Sequence, residues 1–129
     1  MKPICKLTML ALLTIPMGLQ AQSHRPQSDF TTDTLMTHDP VMAYEKGTFH
    51  LFSTGIGLQH ATSKDLKKWT VKATTAMSVI PKWTHDSVPG FRNHVWAPDI
   101  IRYKDKWWMA YSCSTFGKNT SAIGLLSAR

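Results

Sequence analysis

From residue 41 onward, apolar and polar positions alternate in short runs rich in Val, Ile, Thr, Phe, Tyr and Trp. Gly, Asp and Lys clusters break the runs, and this pattern predicts a series of short β-strands. Residues 41–44 form the first strand, 45–47 a turn, 48–54 the second strand and 56–62 the third. Residues 63–68 (SKDLKK) read as a capped turn before a fourth strand at 69–72. The order then recurs: 100–103, a turn at 104–105, 106–112, and finally 123–128. Tyr44 corresponds to Tyr103 at an offset of 59 and Ile56 to Ile123 at an offset of 67, the difference lying in a loop over 113–121. A repeat of four short antiparallel strands predicts propeller blades. The second unit stops at Arg129, before a counterpart of residues 69–71. A ring needs at least about four blades, so the pattern predicts the N-terminal piece of a longer all-β protein.

The first residues follow a different pattern. Met1, Lys2 and Lys6 precede a thirteen-residue apolar stretch over 7–19, and Ala21 is followed by polar Gln22 and Ser23. That layout predicts a secretory leader over residues 1–21. A spanning helix needs about 20 apolar residues, and this stretch is shorter and contains Pro16. Residues 22–37 are a polar lead-in, and 38–129 hold the incomplete propeller domain.

Composition adds limits. The chain of 129 residues is 43% hydrophobic and 18% charged, with five Trp, three Tyr and five Phe, which excludes a disordered chain and favours sheet over helix. Its net charge is +7, falling to about +5 once the leader is removed; a nucleic-acid binder of that charge would lose affinity steeply with salt. Of two cysteines, Cys5 leaves with the leader and Cys113 lies in an apolar strand, so no disulfide framework forms and Cys113 reads as a small buried hydrophobe. His50, His60, His85 and His94 lack metal-ligand spacing and read as hydrogen-bonded strand or loop residues.

Three places combine residue types that suit carbohydrate chemistry. His38-Asp39-Pro40 heads the first strand, where Pro40 predicts an extended Asp39 and a rigidly held carboxylate; a turn-capping aspartate fits the tripeptide equally well. Val95-Trp96-Ala97-Pro98-Asp99 heads the corresponding strand of the second unit. An indole face beside carboxylates suits a sugar ring, while a core aromatic is the plainer account of Trp96. Phe116 stands in the loop STFGKNTS, either as a displayed binding platform or as a plug beneath the loop. On these residues alone, Asp39 and Asp99 pair as two carboxylates.

In this order THDPVMAYEKGTFHLFSTG, SKDLKKW, HVWAPDI and STFGKNTSAIG, from Thr37 to Gly124, resemble the arabinanases of glycoside hydrolase family 43. Those are five-bladed propeller enzymes that cut α-1,5-L-arabinan. The resemblance implies an inverting reaction with Asp39 as general base and His38 ordering it. Trp96 and Phe116 would pack against arabinose, and Asp99 would be structural support rather than a second catalytic carboxylate. Base and acid would stand about 6.5–9.5 Å apart. The general acid Glu and the Asp that tunes it belong to later motifs absent from this chain, whose one Glu, Glu45, sits in a turn expected to be solvated. The chain alone is therefore expected to be inactive.

No cofactor is needed for such chemistry, although a structural channel ion, calcium or similar, is implied for the full-length protein with no ligand assignable here. The implied partner is arabinan or an arabino-oligosaccharide, with no nucleic acid and no membrane after leader cleavage, in a secreted or periplasmic setting. An exo-acting arabinofuranosidase or xylosidase of the same family, and a non-catalytic carbohydrate-binding protein, use the same residues.

Overall fold

In a computed structural model, residues 28–129 are described; the expected leader over 1–21 and the start of the lead-in lie outside the described residues. The strands are β1 (Phe30–Thr32), β2 (Val41–Glu45), β3 (Thr48–Ser53), β4 (Gly55–Ile56), β5 (Gln59–Ser63), β6 (Trp69–Val71), β7 (His94–Tyr103), β8 (Lys106–Ser114) and β9 (Ser121–Ala128), with one helix, α1 (Lys82–Ser87). They form two antiparallel sheets, ordered β1-β6-β5-β3-β2 and β4-β7-β8-β9. We call them blade one and blade two.

Each blade begins with a tight hairpin. Glu45 pairs with Thr48 across Lys46 and Gly47, whose φ of 48° and 77° suit the twist of the flanking strands. Tyr103 pairs with Lys106 across Lys104, at φ 54°, and Asp105. The two hairpin loops are 58 residues apart, not 59, so Glu45 rather than Tyr44 is the structural counterpart of Tyr103. The next strand pair corrects the second offset. Ser53 faces Gln59 in blade one and Tyr111 faces Gly124 in blade two, an offset of 65 that makes Gln59 the equivalent of Gly124. The likeness of Ile56-Gly57-Leu58 to Ile123-Gly124-Leu125 is thus slipped by two residues, a slip that preserves the side-chain face and is easily missed in a sequence.

The third strand expected over 56–62 is two strands in different sheets. β4 pairs with β7 of blade two, β5 with β3 of blade one. The break falls at Gly57 and Leu58, with φ of 66° and 61°. A Cβ on Gly57 would lie 2.6 Å from the Met77 carbonyl oxygen, and Leu58 turns inward to be fully buried. The polar lead-in contributes a strand of its own, since β1 pairs with β6 as the outer strand of blade one. The capped turn forms as expected: Asp65 Oδ1 accepts from the backbone N–H groups of Lys67 and Lys68, both at 2.9 Å, and Ser63 Oγ accepts from that of Leu66 at 2.9 Å.

The core joins the two blades. Leu58, from the crossing segment, meets Met77, Val88 and Phe91 of the connection that contains α1, and Val95, Met109, Tyr111 and Cys113 of blade two. Cys113 is fully buried, as its strand pattern predicts, and burial pushes its thiol pKa up. Met42 and Tyr44 on one outer face, and Ile101, Tyr103, Ile123 and Leu125 on the other, are more than half exposed. The inner strands β2 and β7 lie side by side and bring residues 38–39 and 94–97 together at one end of the pair.

Candidate active site

Asp39 is held from two sides through one oxygen. Thr54, between β3 and β4, donates its hydroxyl to Asp39 Oδ2 at 2.8 Å, and His38 Nδ1 lies 2.7 Å from the same oxygen. Oδ1 has no hydrogen-bond partner among the described residues. The Thr54 hydrogen bond first, and then that from His38, hold the Asp39 carboxyl below the usual carboxylate range against a smaller opposing effect of desolvation. The group is therefore ionised at neutral pH, with its side chain 39% exposed. It caps no turn, since neither bond goes to a turn N–H.

The extended conformation expected at Asp39 is not what forms. Its φ is 49°. Pro40 excludes the right-handed helical region for the residue before it, and aspartate is among the residues that tolerate positive φ. Thr54 also donates its backbone N–H to the His38 carbonyl at 2.9 Å, which holds the bend from the other side. Ala97 repeats this conformation in blade two, with φ 43° before Pro98. At the offset of 58, Ala97 is the counterpart of Asp39; Asp99, two residues further, is not.

An aromatic row lies beside the carboxylate. His94 and Trp96 stack closely with ring centroids 4.3 Å apart, and Trp96 and Phe116 with centroids 6.1 Å apart at 22°, the second within the usual range of attractive offset stacking. Phe116 is 85% exposed, so it is displayed and not a plug. Its loop is braced by Lys118 N–H donating to the Thr115 carbonyl at 3.0 Å and by Thr115 Oγ1 donating to the Pro89 carbonyl at 2.7 Å. Trp96 is half-buried, and its Nε1 is buried with no partner among the described residues. Burial, then the nearby His38, lowers the pKa of His94, which stays neutral at pH 7.

The other carboxylates are placed differently. Asp99 is exposed and makes no side-chain hydrogen bond or ion pair with a described residue, so it does not hold Asp39 by direct contact. The adjoining Ala97 and Pro98 interrupt the β7–β8 register between Trp96 and Asp99, a bulge that re-aims the strand. Glu45 is not the solvated turn residue expected from the sequence. It ends β2, accepts from Trp107 Nε1 at 3.1 Å and lies 3.8 Å from Arg102 Nη1. The Trp107 hydrogen bond leads the effects that lower its pKa, the wrong direction for an acid. Six extended residues from Asp39, it stands about 20 Å away.

Histidines outside the site pair or bond locally. His50 Nδ1 and His60 Nε2 are 3.2 Å apart, and His85 Nε2 is 2.8 Å from Asn93 Oδ1. Among the described residues no group of three or more His, Cys, Asp or Glu converges to hold a metal ion. No helix among them is long and apolar enough to cross a membrane.

Sequence reasoning named Asp39, His38, Trp96 and Phe116, which the structure gathers at one end of the inner strands. It missed Thr54 and the stacking role of His94. The common spacing of 58 between Asp39-Pro40 and Ala97-Pro98 is the signal that would have aligned the blades and pointed to the residue between their bends.

An ionised carboxylate with an open oxygen thus lies beside a displayed aromatic row on two adjoining propeller-type blades. Residues 33–129 match the family described as glycosyl hydrolases family 43, and the chain belongs to that family. It is similar to the extracellular exo-α-(1→5)-L-arabinofuranosidase ArbA of Cellvibrio japonicus (strain Ueda107), at 47% identity over 88 residues, 68% of this chain and 25% of the relative. The extracellular endo-α-(1→5)-L-arabinanase 1 of Bacillus subtilis (strain 168) is 40% identical over 97 residues, 72% of this chain and 30% of the relative. The solved structure of Cellvibrio cellulosa α-L-arabinanase complexed with arabinohexaose matches with a TM-score of 0.62 and 42% identity, over 72% of this chain and 29% of that one. The chain thus spans between a quarter and a third of the length of these relatives. Its all-β fold supplies about two blades of the family's five-bladed propeller.

Proposed function

We propose that this chain is part of an exported inverting hydrolase of α-1,5-L-arabinofuranosidic linkages, with Asp39 as its general base. The observation that carries the reading is the asymmetry of the carboxylate. Two hydrogen bonds occupy Oδ2 while Oδ1 is left open. A fixed, ionised Asp39 can accept a proton from a water through Oδ1 without turning. The water oxygen bonds to the anomeric carbon as the bond to the leaving oxygen breaks, and the sugar emerges with inverted configuration. The leaving oxygen takes its proton from an acid outside the described residues, because Glu45 is too far away and has its pKa shifted the wrong way.

Trp96 and Phe116 supply flat faces for arabinose rings, and His38 keeps the base oriented from solvent. The domain reading follows: a leader over 1–21, a lead-in over 22–37 and the catalytic propeller from 38. The extracellular relatives support export to the periplasm or medium.

Asp39→Asn in the full-length chain tests the assignment. Hydrolysis of arabinohexaose should be lost while binding persists, and the first-formed product of the unaltered protein should be the β-anomer by proton NMR. Retained turnover in Asp39→Asn removes Asp39 from the base role. Binding without any hydrolysis by the unaltered protein leaves a carbohydrate-binding protein instead. Exo action on the same linkage is the second reading, favoured by the 47% identity to an exo-arabinofuranosidase. A single short product from arabinohexaose identifies exo cleavage, and a spread of lengths identifies endo cleavage.

A further inference from the structure

Thr54 makes three hydrogen bonds where the two blades meet. Its hydroxyl donates to Asp39 Oδ2 at 2.8 Å and accepts the backbone N–H of Ala97 at 2.9 Å, while its own N–H donates to the His38 carbonyl at 2.9 Å. The side chain belongs to blade one and the Ala97 amide to blade two. Both residues it joins, Asp39 and Ala97, stand at positive φ before a proline, a conformation kept only when the surroundings over-determine it. We propose that Thr54 is the positioning residue of this site, locking the carboxylate of Asp39 to the backbone of the neighbouring blade. The proposal rests on the reading of Asp39 as general base.

The chemistry of a hydroxyl explains why this side chain and not a shape-matched hydrocarbon. A hydroxyl has one proton to give and lone pairs to accept with. A backbone N–H can only donate, so the Ala97 amide takes a lone pair of Oγ1 and leaves its single proton for Asp39. The direction of the chain of bonds, Ala97 N–H to Thr54 to Asp39, is therefore fixed, and it terminates on the carboxylate. Thr54 is only 7% exposed, so water does not readily substitute for the bond. The titratable groups facing Asp39 are His38 on its own loop and, beyond it, His94 of β7. Of the contacts to Asp39, the Thr54 hydrogen bond is the largest in lowering its pKa.

Valine matches the shape of threonine and removes the hydroxyl, and serine restores the hydroxyl without the methyl. In the full-length chain, Thr54→Val should lower kcat on arabinohexaose about 10- to 100-fold, the worth of a hydrogen bond to a charged group, with KM nearly unchanged. The acidic limb of its kcat/KM profile should move to higher pH, because the carboxylate loses the donor that favours its ionised form. Thr54→Ser should recover both. The Asp39 carboxyl titration followed by carbon NMR should move in the same direction in Thr54→Val, without reference to turnover. If Thr54→Val does not fold, Thr54→Ala against Thr54→Ser reads the same hydroxyl. An unmoved acidic limb and unmoved NMR titration overturn the positioning role, as does equal loss in Val and Ser variants. If Asp39→Asn is inactive while Thr54→Val behaves as wild type, only the positioning role fails. If Asp39→Asn is active, the base assignment itself fails.

Discussion

Blades one and two are built on one backbone plan and filled with different side chains. Each starts with a bend before a proline, at Asp39-Pro40 and Ala97-Pro98, and continues through an inner strand to a two-residue hairpin loop, all at a spacing of 58. At the first bend the side chain is a carboxylate; at the second it is a methyl group. Further out, blade one sets Ser53 opposite Gln59, joined by a 3.3 Å hydrogen bond, where blade two sets buried Tyr111 opposite Gly124. His50 and His60, stacked with centroids 5.4 Å apart, stand where blade two has Trp108 and Leu125. A repeated backbone can thus hold a hydrogen-bonded carboxylate in one copy and a bare methyl group in the other. Backbone bends and hairpins define the repeat, and the chemistry is assigned blade by blade.

Several substitutions in the full-length chain press on this comparison. The largest effect is expected from Asp39→Asn, which should cost roughly a thousandfold or more in kcat with oligosaccharide affinity held within about tenfold. Adding Ala97→Asp should not recover turnover, since blade two shares the bend but supplies Thr54 with only a backbone amide. Recovery of turnover in that double variant, measured by reducing-sugar release, would make the two bends chemically interchangeable.

Gly124→Ala comes next. A Cβ there would lie 2.1 Å from Tyr111 Cζ, so overpacking should destabilise the fold by about 1–3 kcal/mol. Gln59→Ala, at the equivalent place in blade one, removes one long hydrogen bond and should cost less than about 1 kcal/mol. Denaturant melts of the two variants give the difference, and equal losses would mean that the two blades fill this shared position alike.

Acidification separates the blades in another way. Burial first, then the neighbouring His50 and Lys72, lower the pKa of His60 from 6.5 to about 4. Between those values the unfolded chain binds more protons than the folded one, so stability rises with pH across this window and is lost as pH falls from 6.5 toward 4. Allowing for partial solvent access, the loss is on the order of 1–2 kcal/mol. His60→Leu, which borrows the blade-two residue, should flatten this dependence in melts run from pH 7 to 4; an unchanged slope would remove His60 as its source. Effects at the aromatic row are expected on affinity alone. Trp96→Ala and Phe116→Ala should each weaken arabinohexaose binding by about 0.5–1.5 kcal/mol, read by calorimetry, with unchanged affinity returning either ring to a structural role.

The strands and both hairpins were legible because period-two patterning and turn residues act locally. β2, β3, β8 and most of β9 fall where alternation places them. The break between β4 and β5 was not legible: residues 56–62 alternate like one strand, and only tertiary contact with Met77 and the core forces Gly57 and Leu58 to turn. α1 was hidden because its six residues, KWTHDS, carry no helical period of their own. At the site, Asp39, Trp96 and Phe116 announce themselves by residue type. Thr54 does not, since a threonine after a strand is ordinary in sequence, and its role appears only when Ala97, 43 residues away, is brought against it.

The two-residue strand β4 ties the two blades together. Leaving blade one at Ser53, the chain pairs Gly55 with Val95 and Ile56 with His94 before returning to blade one as β5. Either blade can therefore open only by tearing this stitch, and the two should exchange their amide hydrogens as one cooperative unit. Mechanical pulling on either sheet would be transmitted through residues 54–56 to the bend that carries Asp39.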